Sequence, residues 1–289
     1  MNNTCIDISG KLPAGVISIY RDITLHAQSL SIDLLVVGAA ARDMVLVHGF
    51  GANIDRATTD IDFAINVSSW DQFEALRDCL STNGYQADGH KLHRFVRIDE
   101  QGRPWQVDVL PFGKIADVDH QIYWPPEQHF VMSVLGFEEA YQAAWRVKVS
   151  EEPELLVSVA SPAGLCVLKL VSWLGREVRL RAKDARDFEY LIGNYHYVPE
   201  ILDALYEQGH MEAHDWDQTQ ASAGKLGEDV AQIVSAATMR YLRSQLLNNI
   251  EKKNRFLSDM SGNGGRDLGQ SAQWFDVFVR ALEHSVGSG

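Results

Sequence analysis

The chain has 289 residues, 46% hydrophobic and 22% charged, which is enough for one or two globular domains with sizeable cores. Its net charge of −13 argues against broad non-specific binding to nucleic acid, which needs clustered lysine and arginine, but does not exclude a local basic patch. The three cysteines lack metal-ligand spacing, the N-terminus lacks a signal-peptide pattern, and no apolar run approaches the roughly 20 residues that span a membrane. These features predict a cytoplasmic protein with reduced thiols and no membrane association.

The first elements predicted are a helix, a buried strand and a tight turn. Pro13 opens the helix, whose apolar residues recur at helical spacing. Residues 33–37 indicate a strand, which runs into a turn at Gly38 and then a short helix through residues 44–46. A glycine turn before a helix start offers backbone N–H groups to phosphates, so Gly38 is a candidate phosphate-binding position.

Two aspartates one residue apart follow on the next predicted strand. Side chains alternate faces along a strand, so Asp60 and Asp62 point the same way while Ile61 and Phe63 point the other. Two carboxylates held this close repel each other unless a cation lies between them. Oxygen ligands of this kind suit magnesium, which usually takes one or two carboxylates together with substrate phosphates. The turn and the aspartates together predict a metal–nucleotide site.

A helix over residues 71–83 and two further strands complete this part of the chain. Residues 92–98 and 105–110 read as strands joined by a hairpin turn, and Asp108 is an acid in the middle of the second, apolar strand. Residues 117–130 are expected to form a loop. Two more strands are predicted over residues 145–149 and 155–159.

The composition then shifts towards helices, so a domain boundary is predicted near residue 160. Ser161 and Pro162 start a helix in which Lys169 is the only charge from residue 163 to residue 174. A buried ammonium without a partner is costly, so we expect it to lie near carboxylates or phosphate, with Asp184 as its protein partner, and we expect Lys169→Met to fold normally.

The next predicted helix spans residues 177–195 and has a clear inward face. Counting about 100° per residue, Arg181 and Asp184 continue the inward stripe, while Asp187 lies at its edge. Lys183 and Asp187 are expected to form an i,i+4 pair. A run of basic residues favours a solvated helix face, with a nucleic-acid patch as the alternative. The run consists of Arg176, Arg179, Arg181, Lys183 and Arg186.

The last third is predicted to be mostly helical. Helices are expected over residues 199–207, 224–248 and 267–284, with a polar, mobile connection over residues 251–265.

Several short patterns resemble one enzyme superfamily. Gly38-x-x-x-Arg42-Asp43 followed by Asp60-x-Asp62-Phe63 resembles the core of the DNA polymerase β-like nucleotidyltransferases, and residues 107–113 resemble the strand that carries their third carboxylate. Lys169 and the stretch 183–188, which begins Lys-Asp-x-x-Asp, narrow the resemblance to the AbiEii-type abortive-infection toxins. Where tRNA CCA-adding enzymes usually carry a second glycine, this chain has Ala39.

The resemblance covers residues 30–195 and implies a fold and a set of roles. The expected fold is a mixed α/β nucleotidyltransferase core over residues 1–160 with a helical C-terminal domain over residues 161–289 and the active site between them. The implied metal ligands are Asp60, Asp62 and Asp108, and Asp108 is the expected general base or second-metal ligand. The implied nucleotide contacts are Gly38, Ala39, Arg42 and Lys169, with Lys169 on the phosphates. Asp184 is the further implied catalytic residue, and Lys169→Met is expected to lose transfer activity. Arg42 has the alternative of pairing with Asp43 or Asp71.

The implied activity is magnesium-dependent transfer of a nucleotide from an NTP to a hydroxyl of tRNA or protein, with a small antitoxin as a further partner. Two alternatives stay open. The acidic balance favours a small, cationic acceptor of the aminoglycoside kind. The other alternative is a non-catalytic nucleotide-binding protein of the same fold. The presence of all three carboxylates argues against it.

Overall fold

The computed structural model describes residues 4–54, 59–126, 130–262 and 268–287. The chain divides into two compact units, Met1–Gly49 with Arg56–Ser161 and Phe50–Asp55 with Pro162–Gly289. The short segment that precedes the aspartate strand therefore groups with the C-terminal helices, which the sequence did not indicate. Assigning a separate function to each unit stays a prediction.

A mixed sheet of eight described strands forms the centre of the first unit. The strands of this sheet are β1 (Cys5–Asp7), β2 (Asp33–Val37), β3 (Asp60–Asn66), β4 (Tyr85–Ala87), β5 (Arg94–Ile98), β6 (Pro104–Phe112), β9 (Trp145–Glu151) and β10 (Glu154–Val159). Their order is β1-β9-β10-β2-β3-β6-β5-β4, with parallel pairing of β1 with β9, β10 with β2 and β3 with β6. The remaining neighbours are antiparallel. The predicted mixed α/β fold is confirmed.

Burial explains the central position of β2 and β3. Leu34–Val37 are buried, and β3 alternates half-buried aspartates with buried Ile61 and Phe63 before the buried pair 64–65. The two longer helices of this unit, α1 (Ala14–Ser29) and α3 (Trp70–Thr82), each bury one face. The shorter helices are α2 (Gly38–Arg42), which is buried nearly all round, and α4 (Phe137–Gln142). The predicted helix after Pro13 and the hairpin around Asp99–Arg103 are present at the expected places.

The structure corrects the sequence-based prediction at several short elements. Within residues 117–130, β7 (Gln121–Tyr123) pairs with the following β8 (Val131–Ser133) in a separate two-stranded sheet, so this stretch is not the simple loop that was expected. Residues 127–129 of that prediction lie outside the described residues. The prediction also omitted β1, β4 and α4. Elements of three to six residues show too little periodicity to be recognised. The short helix after Gly38 is longer than expected, because α2 continues as a π-helical turn to Gly49.

The second unit is built from helices, as predicted. They are α5 (Pro162–Gly175), α6 (Val178–Asn194), α7 (Pro199–Glu207), α8 (His210–Ala213), α9 (Gln218–Ile233), α10 (Ala236–Leu242), α11 (Ile250–Ser261) and α12 (Leu268–Gly287). An aromatic cluster packs at the centre of the unit, with edge-to-face contacts of Phe256 on Trp173 and Phe188. None of the helices within the described residues is long and apolar enough to cross a membrane.

Two predictions in this unit are wrong. The helix expected over 224–248 starts earlier and breaks after Ile233, where the Ser235 side chain accepts a hydrogen bond from the backbone N–H of Thr238 and caps α10. The segment expected to be mobile over 251–265 is largely α11, capped by Asn249. Residues 263–265 and Asp267 of the predicted elements lie outside the described residues.

Candidate active site

Three carboxylates lie in neighbouring positions on the sheet. In the antiparallel pairing of β2 with β3, Val37 is the partner of Asp62, and in the parallel pairing of β3 with β6 the partner of Asp62 is Asp108. Adjacent strands are about 4.8 Å apart, and register partners present their side chains on the same face. The structure therefore brings Asp62 beside Asp108, with Asp60 two residues along the same face of β3.

Gly38 lies against the carboxylate of Asp62. Its φ is +71°, a conformation that favours glycine, and a Cβ at this position would overlap Asp62 Oδ2. The turn therefore requires glycine both for its backbone conformation and for the approach of the carboxylate. The phosphate-binding candidate and the metal-binding candidate lie side by side.

The other two predicted nucleotide contacts are buried. Ala39 lies in the first turn of α2, and Arg42 at its end is only 2% exposed. Arg42 donates hydrogen bonds from Nε and Nη2 to Asp43 Oδ1 at 2.9 and 2.7 Å. This is the pairing with Asp43 weighed from the sequence, and it lies at the C-terminal end of the helix that begins at Gly38. A direct contact of Arg42 with a nucleotide stays a prediction.

Asp108 is held by an arginine that sequence reasoning missed. Arg94 of β5 is its register partner, and the guanidinium donates from Nε to Oδ1 at 2.8 Å and from Nη2 to Oδ2 at 2.7 Å. Gln106 Nε2 adds a longer contact to Oδ2 at 3.4 Å. The signal that could have found Arg94 was the register of the hairpin, because closure around Asp99–Arg103 places residue 94 opposite residue 108.

Asp60, Asp62 and Asp108 form a carboxylate row, and their charges shift the pKa values of the groups around them. The hydrogen bond to Asp108 is the main cause that raises the pKa of Arg94, and Asp60 adds to it. Burial raises the pKa of the Tyr20 hydroxyl, and the nearby charges of Asp62 and Asp43 raise it further. Two like charges about 5 Å apart at an effective dielectric constant near 20 repel by roughly 3 kcal/mol. A cation bound among these carboxylates would relieve that repulsion.

The donor set fits a magnesium ion that shares its ligands with a nucleotide. Asp60 and Asp62 are half-buried carboxylates, and Thr59 Oγ1 donates to Asp60 Oδ1 at 3.0 Å. Within the described residues, no group of three or more His, Cys, Asp or Glu is arranged as a complete metal site. Since magnesium commonly takes one or two carboxylates plus phosphates and water, the pair needs no third protein ligand.

Lys169 of α5 forms an ionic cluster with two buried aspartates of α6. Its Nζ lies 3.2 Å from Asp184 Oδ1 and 2.6 Å from Asp187 Oδ2, and both aspartate side chains are 1% exposed. Asp184 Oδ2 also accepts from Ser172 Oγ at 3.2 Å and pairs with Arg176 Nη1 at 3.0 Å. The expected contact of Lys169 with Asp184 is present.

The role expected for Asp187 needs correction. The sequence placed it at the edge of the inward stripe, paired with Lys183, whereas it is buried and bonds to Lys169. The reason is that α5, α9 and α11 all pack on α6, so the buried arc is wider than one stripe. Burial opposes the charge of Lys169, but Asp187 and Asp184 outweigh it and raise the pKa of the ammonium above its ordinary value.

A family model matches residues 25–261, most of the chain, including both groups of candidate site residues. Its description is "Nucleotidyl transferase AbiEii toxin, Type IV TA system". The chain belongs to this family. As an AbiEii-family protein it is a nucleotidyltransferase, so the alternative of a non-catalytic nucleotide-binding protein is set aside.

A structure of the Thermotoga maritima CCA-adding enzyme complexed with tRNA matches with a TM-score of 0.26 at 12% identity, over 96% of this chain and 83% of the other. No curated protein matches the chain.

Proposed function

We propose that this AbiEii-family protein transfers a nucleoside monophosphate from an NTP to an acceptor hydroxyl on tRNA or protein, in a magnesium-dependent reaction. The observation that carries the proposal is the row of Asp60, Asp62 and Asp108 beside the Gly38 turn. The row supplies carboxylates for a metal and the turn supplies backbone donors for phosphates, which are the two requirements of nucleotidyl transfer.

In this mechanism the first two carboxylates hold the substrate complex. Asp60 and Asp62 would bind magnesium, which supplies charge neutralisation on the triphosphate. Backbone N–H groups at the start of α2 would bind phosphate oxygens, and Gly38 permits their close approach. Arg42, at the end of α2 and paired with Asp43, stays a proposed nucleotide contact. Positioning of this kind is the main source of catalysis in phosphoryl and nucleotidyl transfer.

Asp108 would act on the acceptor. A carboxylate next to Asp62 can accept the proton of the attacking hydroxyl or bind a second metal. Either role requires the carboxylate to keep a fixed orientation, and the two hydrogen bonds from Arg94 provide it.

Lys169 and Asp184 are proposed as catalytic residues of the second unit. The resemblance gives Lys169 the neutralisation of charge that develops on the phosphates during transfer. Asp184 and Asp187 hold its ammonium charged in the absence of substrate.

The description of the family supports a further proposal, that the protein is the toxin of a toxin–antitoxin pair. Expression of the chain alone should then arrest growth, and co-expression of a small neighbouring reading frame should relieve the arrest. An arrest that persists in Asp60→Asn would show that growth inhibition does not come from nucleotidyl transfer.

A small cationic acceptor is the second candidate, because the chain carries a net charge of −13. One experiment separates the candidates. The purified protein is incubated with each labelled NTP and magnesium, together with total RNA, with cell protein or with aminoglycosides. Label that appears in RNA or protein and is absent with Asp62→Asn supports the proposal. Label found only on the aminoglycoside supports the second candidate, and labelling that is unaffected by Asp62→Asn contradicts both.

A further inference from the structure

Arg94 forms a close ionic contact with Asp108 of the carboxylate row Asp60, Asp62 and Asp108. Register partners across three strands place Asp62, Asp108 and Arg94 side by side on one face of the sheet. The Arg94 side chain is 24% exposed, and its guanidinium bonds both oxygens of Asp108, whose side chain is 11% exposed. A two-point bond between arginine and a carboxylate fixes the plane of the carboxylate as well as its position.

These two bonds use acceptor capacity that a metal at Asp108 would need. An ionised carboxylate offers about four acceptor sites, and the fork of Arg94 occupies one on each oxygen. Gln106 Nε2 approaches Oδ2 as well. A divalent cation that binds Asp108 must therefore share the carboxylate with a guanidinium or displace it, and the two cations repel each other.

We propose that Arg94 is a positioning residue that holds Asp108 and opposes the binding of a second divalent cation there. The inference rests on the proposed function, and adds to it that metal occupancy at Asp108 is limited by an arginine of the same sheet. Asp60 and Asp62, which Arg94 does not bond, would take the first metal.

Arg97 offers a matched control on the same strand. It lies three residues further along β5, on the opposite face, and it is also paired with an aspartate, Asp22, at 3.9 Å. Its guanidinium donates to the carbonyl oxygen of Asn83 and lies over the ring of Tyr85, away from the carboxylate row. Arg97→Gln therefore removes the same charge from the same strand without freeing Asp108.

The test counts bound Mn²⁺, used as a paramagnetic probe, by electron paramagnetic resonance without nucleotide, and so does not depend on activity. In Arg94→Gln the affinity of the weaker Mn²⁺ site should rise about tenfold, the scale of one unit charge removed at short range. Arg97→Gln should leave it unchanged. The rise should disappear when Asp108→Asn is combined with Arg94→Gln, because the freed carboxylate is then absent.

Arg94→Lys keeps the charge but loses the two-point geometry, so its affinity should lie between wild type and Arg94→Gln, and it serves if Arg94→Gln does not fold. This inference alone would be overturned if wild type, Arg94→Gln and Arg94→Lys bound Mn²⁺ equally while binding still depended on Asp60 and Asp62. If no Mn²⁺ binds to wild type or any variant, the inference and the metal site of the proposed function both fail.

Discussion

At the scale of single residues, Asp60 and Asp62 combine partial exposure with a position next to Gly38. Their side chains do not fill the core, so replacing either by asparagine should preserve the fold. We expect Asp60→Asn and Asp62→Asn each to lower transfer on the order of 10²–10³-fold, the range seen when one electrostatic group of an active site is removed. Steady-state transfer of labelled nucleotide measures the loss.

The control for this prediction is Asp78→Asn. Asp78 is an exposed residue of α3, so the same change of charge should leave transfer unaffected. Wild-type turnover in a protein that carries both Asp60→Asn and Asp62→Asn would contradict the assignment of the site.

Asp108→Asn should separate nucleotide binding from transfer. The variant keeps the shape of the side chain and the first two carboxylates, so NTP affinity by equilibrium dialysis should stay near that of wild type. Transfer should fall, because the acceptor loses its base or the second metal its ligand. An unchanged transfer rate would show that this strand takes no part in the reaction.

Lys169→Met has a different expected outcome once its contacts are known. From the sequence alone we expected normal folding, but removing the ammonium would leave Asp184 and Asp187 buried without their shared cation. Breaking a buried pair in this way costs about 3–5 kcal/mol. Urea unfolding should show this loss, and adding Asp184→Asn and Asp187→Asn should recover part of it without restoring transfer. Full transfer activity in Lys169→Met would refute its catalytic role.

The pKa of Lys169 gives this stability difference a pH dependence. Because the pKa is raised in the folded protein, the contribution of the charged lysine is fully present below the ordinary lysine pKa of about 10.4. It is lost as the pH rises through the higher, folded-state value. The difference in unfolding free energy between wild type and Lys169→Met should therefore be constant between about pH 6 and pH 9 and shrink only in stronger alkali. A decrease already at neutral pH would show that another group governs the cluster.

At the scale of secondary-structure elements, the correct predictions of strands and helices came from strand alternation and helix periodicity. The positions of β2, β3 and β6 followed from apolar runs, and their register explains why Gly38, Asp62 and Asp108 meet. Arg94 was missed because its place depends on how a hairpin closes. Asp187 was misplaced because a single helix cannot reveal how many neighbours will pack on it.

Helix α11 illustrates a signal that was present but overlooked. Asn249 accepts a hydrogen bond from Lys252 N, and Phe256, Leu257 and Met260 repeat at helical spacing. A polar surface and nearby glycines suggested a loop, yet one apolar stripe with a cap is sufficient for a helix that packs on its neighbours.

The buried apolar stripe of α11 predicts that truncating one of its side chains will lower the stability of the protein. Phe256 is fully buried and contacts Trp173, Phe188 and Phe275, so Phe256→Ala should destabilise the protein by about 3–5 kcal/mol. Ile250→Ala is the control in the same helix, because Ile250 is 78% exposed and should change stability little. Urea unfolding followed by tryptophan fluorescence measures both, and equal effects would contradict the burial of this helix face.

At the scale of the whole molecule, the net charge of −13 disfavours a polyanionic acceptor unless basic residues are concentrated locally. The basic residues around the start of α6 are the candidate for such a local concentration of positive charge. Part of its charge is already used, since Arg176 pairs with Asp184 and Arg179 with Glu177. Arg179 and Arg186 are nevertheless exposed, so they remain accessible to an acceptor.

Charge reversal at these two arginines discriminates between the acceptors. If the acceptor is RNA that contacts α6, Arg179→Glu and Arg186→Glu should each weaken transfer to RNA and reduce the slope of log affinity against log salt by about one. Arg280→Glu makes the same change of charge on an exposed face of α12 and should have a smaller effect. For a cationic small acceptor, all three reversals should leave transfer unchanged or strengthen it, because a more negative protein attracts the substrate. RNA labelling that is insensitive to all three reversals, with an unchanged salt slope, would exclude α6 as the RNA contact while leaving the row of Asp60, Asp62 and Asp108 as the site of transfer.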